Sequence, residues 1–351
     1  MGYIRLLLAI SVFLGHAWAV FPPRIYEFAG GVVSVRLFYM ISGFLIALVL
    51  ESKYHSAINF YKSRMLRLLP VYQIILILTI SLSILSYLSL GAPFLLGYFA
   101  GYANLLTTPE IILLLIPQFT TIALDLYGFI GINEGGIFLA EQSWKYVNGY
   151  QFLLVPQAWT LGLECWFYFL APFIIRKTSY VIILAIMSLA SGILVDNFLE
   201  FSGDDPWNRR FFPSELKYFL AGVLSFKMKS KLVHSRTRNC VLVFVVVLAA
   251  TSLVDYISIP IYLLCVYFIF FLSLPSLLKI SSRLPFDRII GDLSYPFYLC
   301  HWLILHAVAN AILPSFEYPK FSSLLYSILL SLLLVLLIER KIDTFRHRYS
   351  S

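Results

Sequence analysis

The chain has 351 residues, 60% of them hydrophobic and only 13% charged, with a mean hydropathy of +0.85 and a formal net charge of +8. Such a composition exceeds what a soluble core can bury and contains many runs long enough to span a bilayer, so it excludes a water-soluble enzyme and indicates an all-α polytopic membrane protein. The positive balance does not indicate nucleic acid: Lys and Arg stand in short clusters between apolar runs, where the positive-inside rule accounts for them.

The first apolar stretch, from Gly2 to His16, reads as a membrane helix carrying Arg5 near its start and His16 near its end. Eleven residues are about three helical turns, so the two side chains share one face roughly 16 Å apart. A cation and an imidazole are costly in hydrocarbon and mark a polar pathway. A secretory signal is the competing reading, since Ala17-Trp18-Ala19 resembles a cleavage site, and it would discard His16.

Ten spans are predicted, at about 3–21, 30–50, 70–90, 157–176, 179–199, 213–228, 240–256, 257–278, 289–313 and 321–339. Basic clusters at Lys53 to Arg67, Arg176–Lys177, Lys227 to Arg238, Lys279 to Arg288 and Arg340 to Arg348 place those segments, and both termini, in the cytoplasm. The parity holds if residues 91–130 cross an even number of times or not at all. Glycines at 91, 97 and 101 and prolines at 93, 109 and 117 favour broken helices there. Residues 1–345 read as a single membrane domain, with 91–156 an outward-facing, partly re-entrant or interfacial region within it.

Counted from the span ends, His16, Ser42, Glu164 and His301 come from four helices and converge in depth. Ser294, Tyr298 and His301 form a polar stripe at spacings of four and three, and Pro296 frees a backbone carbonyl in the same helix. Arg64 and Arg67, one turn apart at the mouth of the third span, suit a phosphate-bearing ligand; flanking charges that only set topology are the plainer account. Ser42 beside Gly43 suggests a close helix crossing. Arg36 either pairs with Glu164 or caps an acceptor site. The four cysteines read as small core residues with no metal spacing, and most aromatics as lipid-facing or interfacial.

Together these stretches resemble the acyltransferase-3 family of membrane acyltransferases. The resemblance rests on Arg5 and His16, on Phe38-Tyr39-Met40-Ile41-Ser42-Gly43-Phe44-Leu45, and on Arg64, Arg67 and Pro70. It extends to Trp159-Thr160-Leu161-Gly162-Leu163-Glu164-Cys165-Trp166-Phe167-Tyr168 and to Ser294 through His301, in the family's order over nearly the whole chain. The departures are Thr160 in place of Ser, Cys165 in place of a second acid, and a missing Asp before Arg64.

The resemblance implies an acyl-CoA donor, usually acetyl-CoA, approaching from the cytoplasm, and a carbohydrate hydroxyl accepting the acyl group outside, in the bacterial cytoplasmic membrane. Arg5, Arg64 and Arg67 would hold the donor's phosphates. His16 would serve as general base or acyl carrier, with Glu164 or another acid fixing its tautomer, and Ser42, Arg36, Ser294, Tyr298 and His301 would line the acceptor side. No permanently bound cofactor or metal is expected. Many members carry an additional soluble SGNH-type domain, and this chain is expected to be a standalone member. A transporter or flippase is the rival, since mid-membrane polar groups also mark substrate paths.

Overall fold

The computed structural model describes residues 1–17, 31–54, 56–91, 94–140, 147–198, 206–207, 209–232 and 259–346. Its principal helices are α1 (Gly2–His16), α2 (Gly31–Ser52), α3 (Ala57–Leu90), α4 (Gly97–Tyr102), α5 (Thr108–Thr120), α6 (Trp159–Ile174) and α7 (Thr178–Phe198). They continue with α8 (Phe212–Lys227), α9 (Ile259–Ser281), α10 (Asp287–Ala309) and α11 (Pro319–Leu334). A five-residue π-helical segment, Val335–Glu339, then leads into α12 (Arg340–Arg346).

Five segments are long and apolar enough to cross a membrane by length and composition: Gly31–Ser52, Ala57–Ser89, Thr178–Asn197, Leu263–Ser281 and Pro319–Phe345. Helices α1, α6 and α8 are shorter, at 15, 16 and 16 residues, and α10 carries the polar stripe. The predicted span at 240–256 lies outside the described residues. Faces of α7 and α11 expose rows of large apolar side chains, such as Ile183, Ile186, Met187 and Leu194 on α7 and Leu329, Leu332 and Leu333 on α11. In water such patches would be a liability; in lipid they are the expected outer surface.

The third span differs from expectation. Helix α3 begins at Ala57 rather than near 70 and runs for 34 residues with Pro70 inside it. At 1.5 Å per residue this is about 51 Å, well beyond the roughly 30 Å of hydrocarbon. The extra turns carry Arg64 and Arg67, and Gly91 in the left-handed conformation (φ 67°) ends the helix by bonding back to Tyr87.

Packing is set by small residues where backbones meet. Helix α2 lies against α8 at Gly43 and Gly222, where an added Cβ would overlap the carbonyl oxygens of Phe219 and Met40, respectively. Ser42-Gly43 is thus a close crossing as well as a source of a hydroxyl. Helix α1 packs on α10 through Gly2 and Gly291. Asp287 on α10 accepts the amides of Gly2 at 2.8 Å and Tyr3 at 3.2 Å and pairs with the Met1 amino group at 2.8 Å, capping α1 from a distant part of the sequence.

Between α3 and α6 the chain is not purely helical. A hairpin, β1 (Ile130–Asn133) and β2 (Gly136–Leu139), pairs Asn133 with Gly136, and β3 (Val147–Asn148) adds on the other side of β1 in the order β2-β1-β3. Glu110, in the first turn of α5, accepts the Thr107 amide and hydroxyl at 2.7 Å and the Ile137 amide at 2.8 Å, tying α5 to the hairpin. These short strands are a local addition to an all-α fold, and their few residues fall below what apolar periodicity resolves.

Two side-chain expectations also change. Cys165 and Cys300 are buried but Cys265 is exposed, and Cys240 lies outside the described residues. Many aromatics are core rather than lipid-facing: Tyr72, Phe13, Phe44, Phe60, Phe167, Phe219 and Phe297 are fully buried, with Phe219 stacked between Tyr39 and Phe167.

Candidate active site

Two connected cavities run into the bundle beside α1. The larger, of about 450 Å³, is a vestibule lined by Arg5, Arg64, Arg67, Asp292, Glu339 and Lys53, among others. The smaller, of about 110 Å³, lies deeper, lined by Tyr39, Ser42, Thr160, Glu164, Tyr168, Ser294 and Tyr298. Arg5, Leu45, Arg64, Arg67 and Tyr295 border both, so three guanidinium groups surround the waist between vestibule and chamber. Helix α3 brings Arg64 and Arg67 there because its early start makes them interior positions; Arg64 is only 5% exposed.

None of the three arginines has a carboxylate within 4 Å among the described residues, and Arg64 Nε is buried without a hydrogen-bond partner. Arg64 rests on the Phe60 ring at 5.5 Å. Guanidinium forks clustered without a carboxylate in ion-pair contact among the described residues have the geometry that phosphate oxygens match. Asp292 and Glu339 share the vestibule at longer range.

Glu164, on α6, sits in the chamber. Its Oε1 accepts the Ser42 hydroxyl at 2.8 Å and the Tyr168 hydroxyl one turn along α6. It is not bonded to His16, and it does not pair with Arg36. Arg36 instead forms a two-pronged buried ion pair with Glu215 of α8 (Nη2 to Oε1 2.7 Å, Nε to Oε2 3.1 Å) and lies over the Tyr218 ring, away from both cavities. Removing one member of such a pair leaves an uncompensated buried charge, so Arg36 acts in the α2–α8 interface.

His16 finds its partner on α10. His16 Nδ1 lies 3.0 Å from His301 Nε2, and His301 Nδ1 lies 2.7 Å from the Tyr298 carbonyl oxygen. A carbonyl only accepts, so His301 carries its proton on Nδ1 and offers a lone pair at Nε2. His16 must then donate from Nδ1, which leaves its Nε2 lone pair free. His301 is fully buried whereas His16 is exposed. In the neutral pair His16 Nε2 is thus the basic nitrogen, its tautomer fixed by a chain ending on backbone, and Arg209 lies within electrostatic range of the ring. Trp302 sets its ring edge-on to His16 at 5.0 Å.

The polar stripe divides its work. Ser294 bonds the Gly291 carbonyl at 2.6 Å and lines the chamber. Tyr298 lines the chamber, its ring 6.2 Å from that of Phe38 and 5.9 Å from that of His301. Its hydroxyl donates to the Gln157 carbonyl at 3.0 Å, while Gln157 Nε2 donates to the Tyr298 and Leu299 carbonyls. Sequence reasoning did not single out Gln157, Tyr168, Tyr295 or Trp302. Tyr168 was within reach of the rule that places residues four apart on one helix face; the others meet the site only through tertiary packing.

Residues 1–340 match the acyltransferase-3 family, whose model is described as an acyltransferase domain. The chain belongs to the acyltransferase-3 family. Among curated proteins, an uncharacterized protein of Aquifex aeolicus (strain VF5) is 28% identical over 201 residues, covering 55% of this chain and 90% of that protein. No solved structure matches. The acyltransferase-3 match spans every residue of the two cavities and the histidine pair except the Ile342 and Asp343 rim of the vestibule.

Proposed function

We propose that this acyltransferase-3 protein is a membrane O-acyltransferase that moves an acyl group, acetyl in the simplest case, from cytoplasmic acyl-CoA to a hydroxyl of an extracytoplasmic carbohydrate. The observation that carries the reading is the placement of groups along α1: Arg5 near its start joins Arg64 and Arg67 in bordering both cavities, and His16 at its end is hydrogen-bonded to His301, which neighbours the chamber-lining Tyr298. CoA is a polyanion on a slim arm. Its phosphates suit Arg5, Arg64 and Arg67, and the roughly 16 Å between Arg5 and His16 is the length an extended arm must cover.

In the reaction His16 Nε2 takes the proton of the acceptor hydroxyl as its oxygen attacks the thioester carbonyl. The new C–O bond forms, the C–S bond breaks, and CoA leaves as the thiolate, which takes up a proton. His301 receives the Nδ1–H bond throughout and steadies the imidazolium. General base catalysis of this kind contributes about 10²–10⁴-fold.

The test uses membranes containing the full chain, radiolabelled acetyl-CoA and a polysaccharide acceptor. Label should appear in the acceptor. His16→Ala should reduce its rate by about 10²-fold or more, and Arg67→Ala should raise the KM for acetyl-CoA about tenfold or more through the loss of a charge-assisted hydrogen bond. Unchanged transfer by His16→Ala would sink the mechanism.

A further inference from the structure

Most hydrogen-bonding groups of the small chamber are already committed to one another. Ser42 and Tyr168 donate to Glu164 Oε1, Tyr298 donates to the Gln157 carbonyl and Ser294 to the Gly291 carbonyl. Two are not. The Tyr39 hydroxyl is buried with no partner among the described residues, although Tyr39 lines the chamber and its side chain is only 4% exposed. Among the described residues nothing donates to Glu164 Oε2, while Oε1 accepts twice. The Tyr39 hydroxyl lies close enough to Glu164 to interact with it electrostatically, and its ring is held by stacking on Phe219 at 4.4 Å.

An unmade hydrogen bond on a buried hydroxyl is costly, and native interiors rarely leave one without a use. One free donor and one free acceptor in one narrow chamber are complementary to a group that offers one acceptor and one donor. A secondary amide does so with its C=O and N–H. We infer that the chamber is an amide-binding subsite, in which the Tyr39 hydroxyl donates to the carbonyl and Glu164 Oε2 accepts from the N–H of an amide in an extended ligand arm.

This rests on the acyl-CoA reading, because the pantetheine arm of CoA is such a chain: slim, with two secondary amides between the phosphates and sulfur. It gives Glu164 a task apart from the histidines. The carboxylate orients the arm, and the acidic side chain need not reach the reacting atoms. It also accounts for the hydroxyls of Ser42 and Tyr168, which hold Oε1 and so aim Oε2 into the chamber.

The test compares two probes on the purified full chain: CoA, and adenosine 3′,5′-bisphosphate, which keeps the nucleotide and two phosphates but lacks the arm. Tyr39→Phe preserves the ring stacking and removes only the hydroxyl. It should weaken CoA binding about three- to tenfold, the effect of one neutral hydrogen bond, and leave bisphosphate binding unchanged. The isosteric Glu164→Gln replaces the free acceptor with a donor and should weaken CoA with the same selectivity.

Equal loss of both probes, or no loss of CoA, on Tyr39→Phe would overturn the amide subsite while leaving the donor reading intact. Failure of the unaltered protein to bind either probe would overturn the donor reading itself, and the subsite with it. Retained bisphosphate binding reports that each variant is folded.

Discussion

Replacing His301 separates His16, the proposed proton acceptor, from the group that holds it. His301 is fully buried and makes two bonds, 3.0 Å to His16 and 2.7 Å to the Tyr298 carbonyl. Leucine fills a similar volume, so His301→Leu removes the acceptor for His16 Nδ1–H without opening a large cavity. What is lost is one neutral hydrogen bond, about 1 kcal/mol, which corresponds to about a fivefold fall in the fraction of His16 held in the productive tautomer and rotamer. His301→Gln keeps a carbonyl oxygen able to accept from Nδ1 and should recover most of that loss.

The assay is acyl transfer from labelled acetyl-CoA at saturating donor, normalised to protein by size-exclusion chromatography in detergent. The expected order is unaltered protein, His301→Gln, His301→Leu about fivefold down, and His16→Ala about 10²–10⁴-fold down. If His301→Leu falls as far as His16→Ala, the assignment of His16 as the sole base is wrong. If Gln is no better than Leu, the tautomer argument fails.

Two further outcomes follow from the packing and from one carboxylate. Gly222→Val places a branched side chain on the Met40 carbonyl and should destabilise the α2–α8 crossing by about 1–3 kcal/mol or more, whereas Gly101→Ala, which meets open space, should leave the melting temperature in detergent unchanged. Equal melting of both variants would refute the close-crossing reading. Burial pushes the Asp287 carboxyl up, but the Met1 amino group, Ser281 and the Gly2 and Tyr3 amides outweigh it and hold it at about 2. Its stabilisation is therefore present above the ordinary carboxylate value near 3.9 and is lost as pH falls towards about 2. Thermal melts should show unaltered protein losing its advantage over Asp287→Asn across that window, and a constant gap would contradict it.

The sequence made the arginine mouth legible because Arg5, Arg64 and Arg67 announce themselves by type and spacing, and depth counting brought His16 and His301 to one level. Depth says nothing about azimuth. The ring of neighbours in the bundle decided that His16 meets His301 and Glu164 meets Ser42, and span counting carries no information about that ring. The Arg36–Glu215 pair was closer to hand, since opposite charges stand near corresponding ends of the predicted spans 30–50 and 213–228, and an intramembrane charge calls for a partner. The start of α3 was not legible because Lys62, Arg64 and Arg67 interrupt the apolar run before residue 70, whereas the helix continues through them and retains Pro70 inside it. The strands were missed because four-residue elements leave too little pattern.

The Tyr298 ring, which lines the chamber beside His301, bears on fidelity. A thioester is thermodynamically ready to lose its acyl group to water, and an exposed imidazole with a free lone pair activates water as readily as a sugar. Under the proposed function that hazard bears on Tyr298, which lines the chamber, has its ring 5.9 Å from that of His301, and is anchored by Gln157 through both its hydroxyl and its backbone carbonyl. The same carbonyl holds His301. A displacement of Tyr298 therefore also disturbs the bond that fixes His301, so under the proposed function the wall of the donor chamber and the hold on the base share one backbone carbonyl.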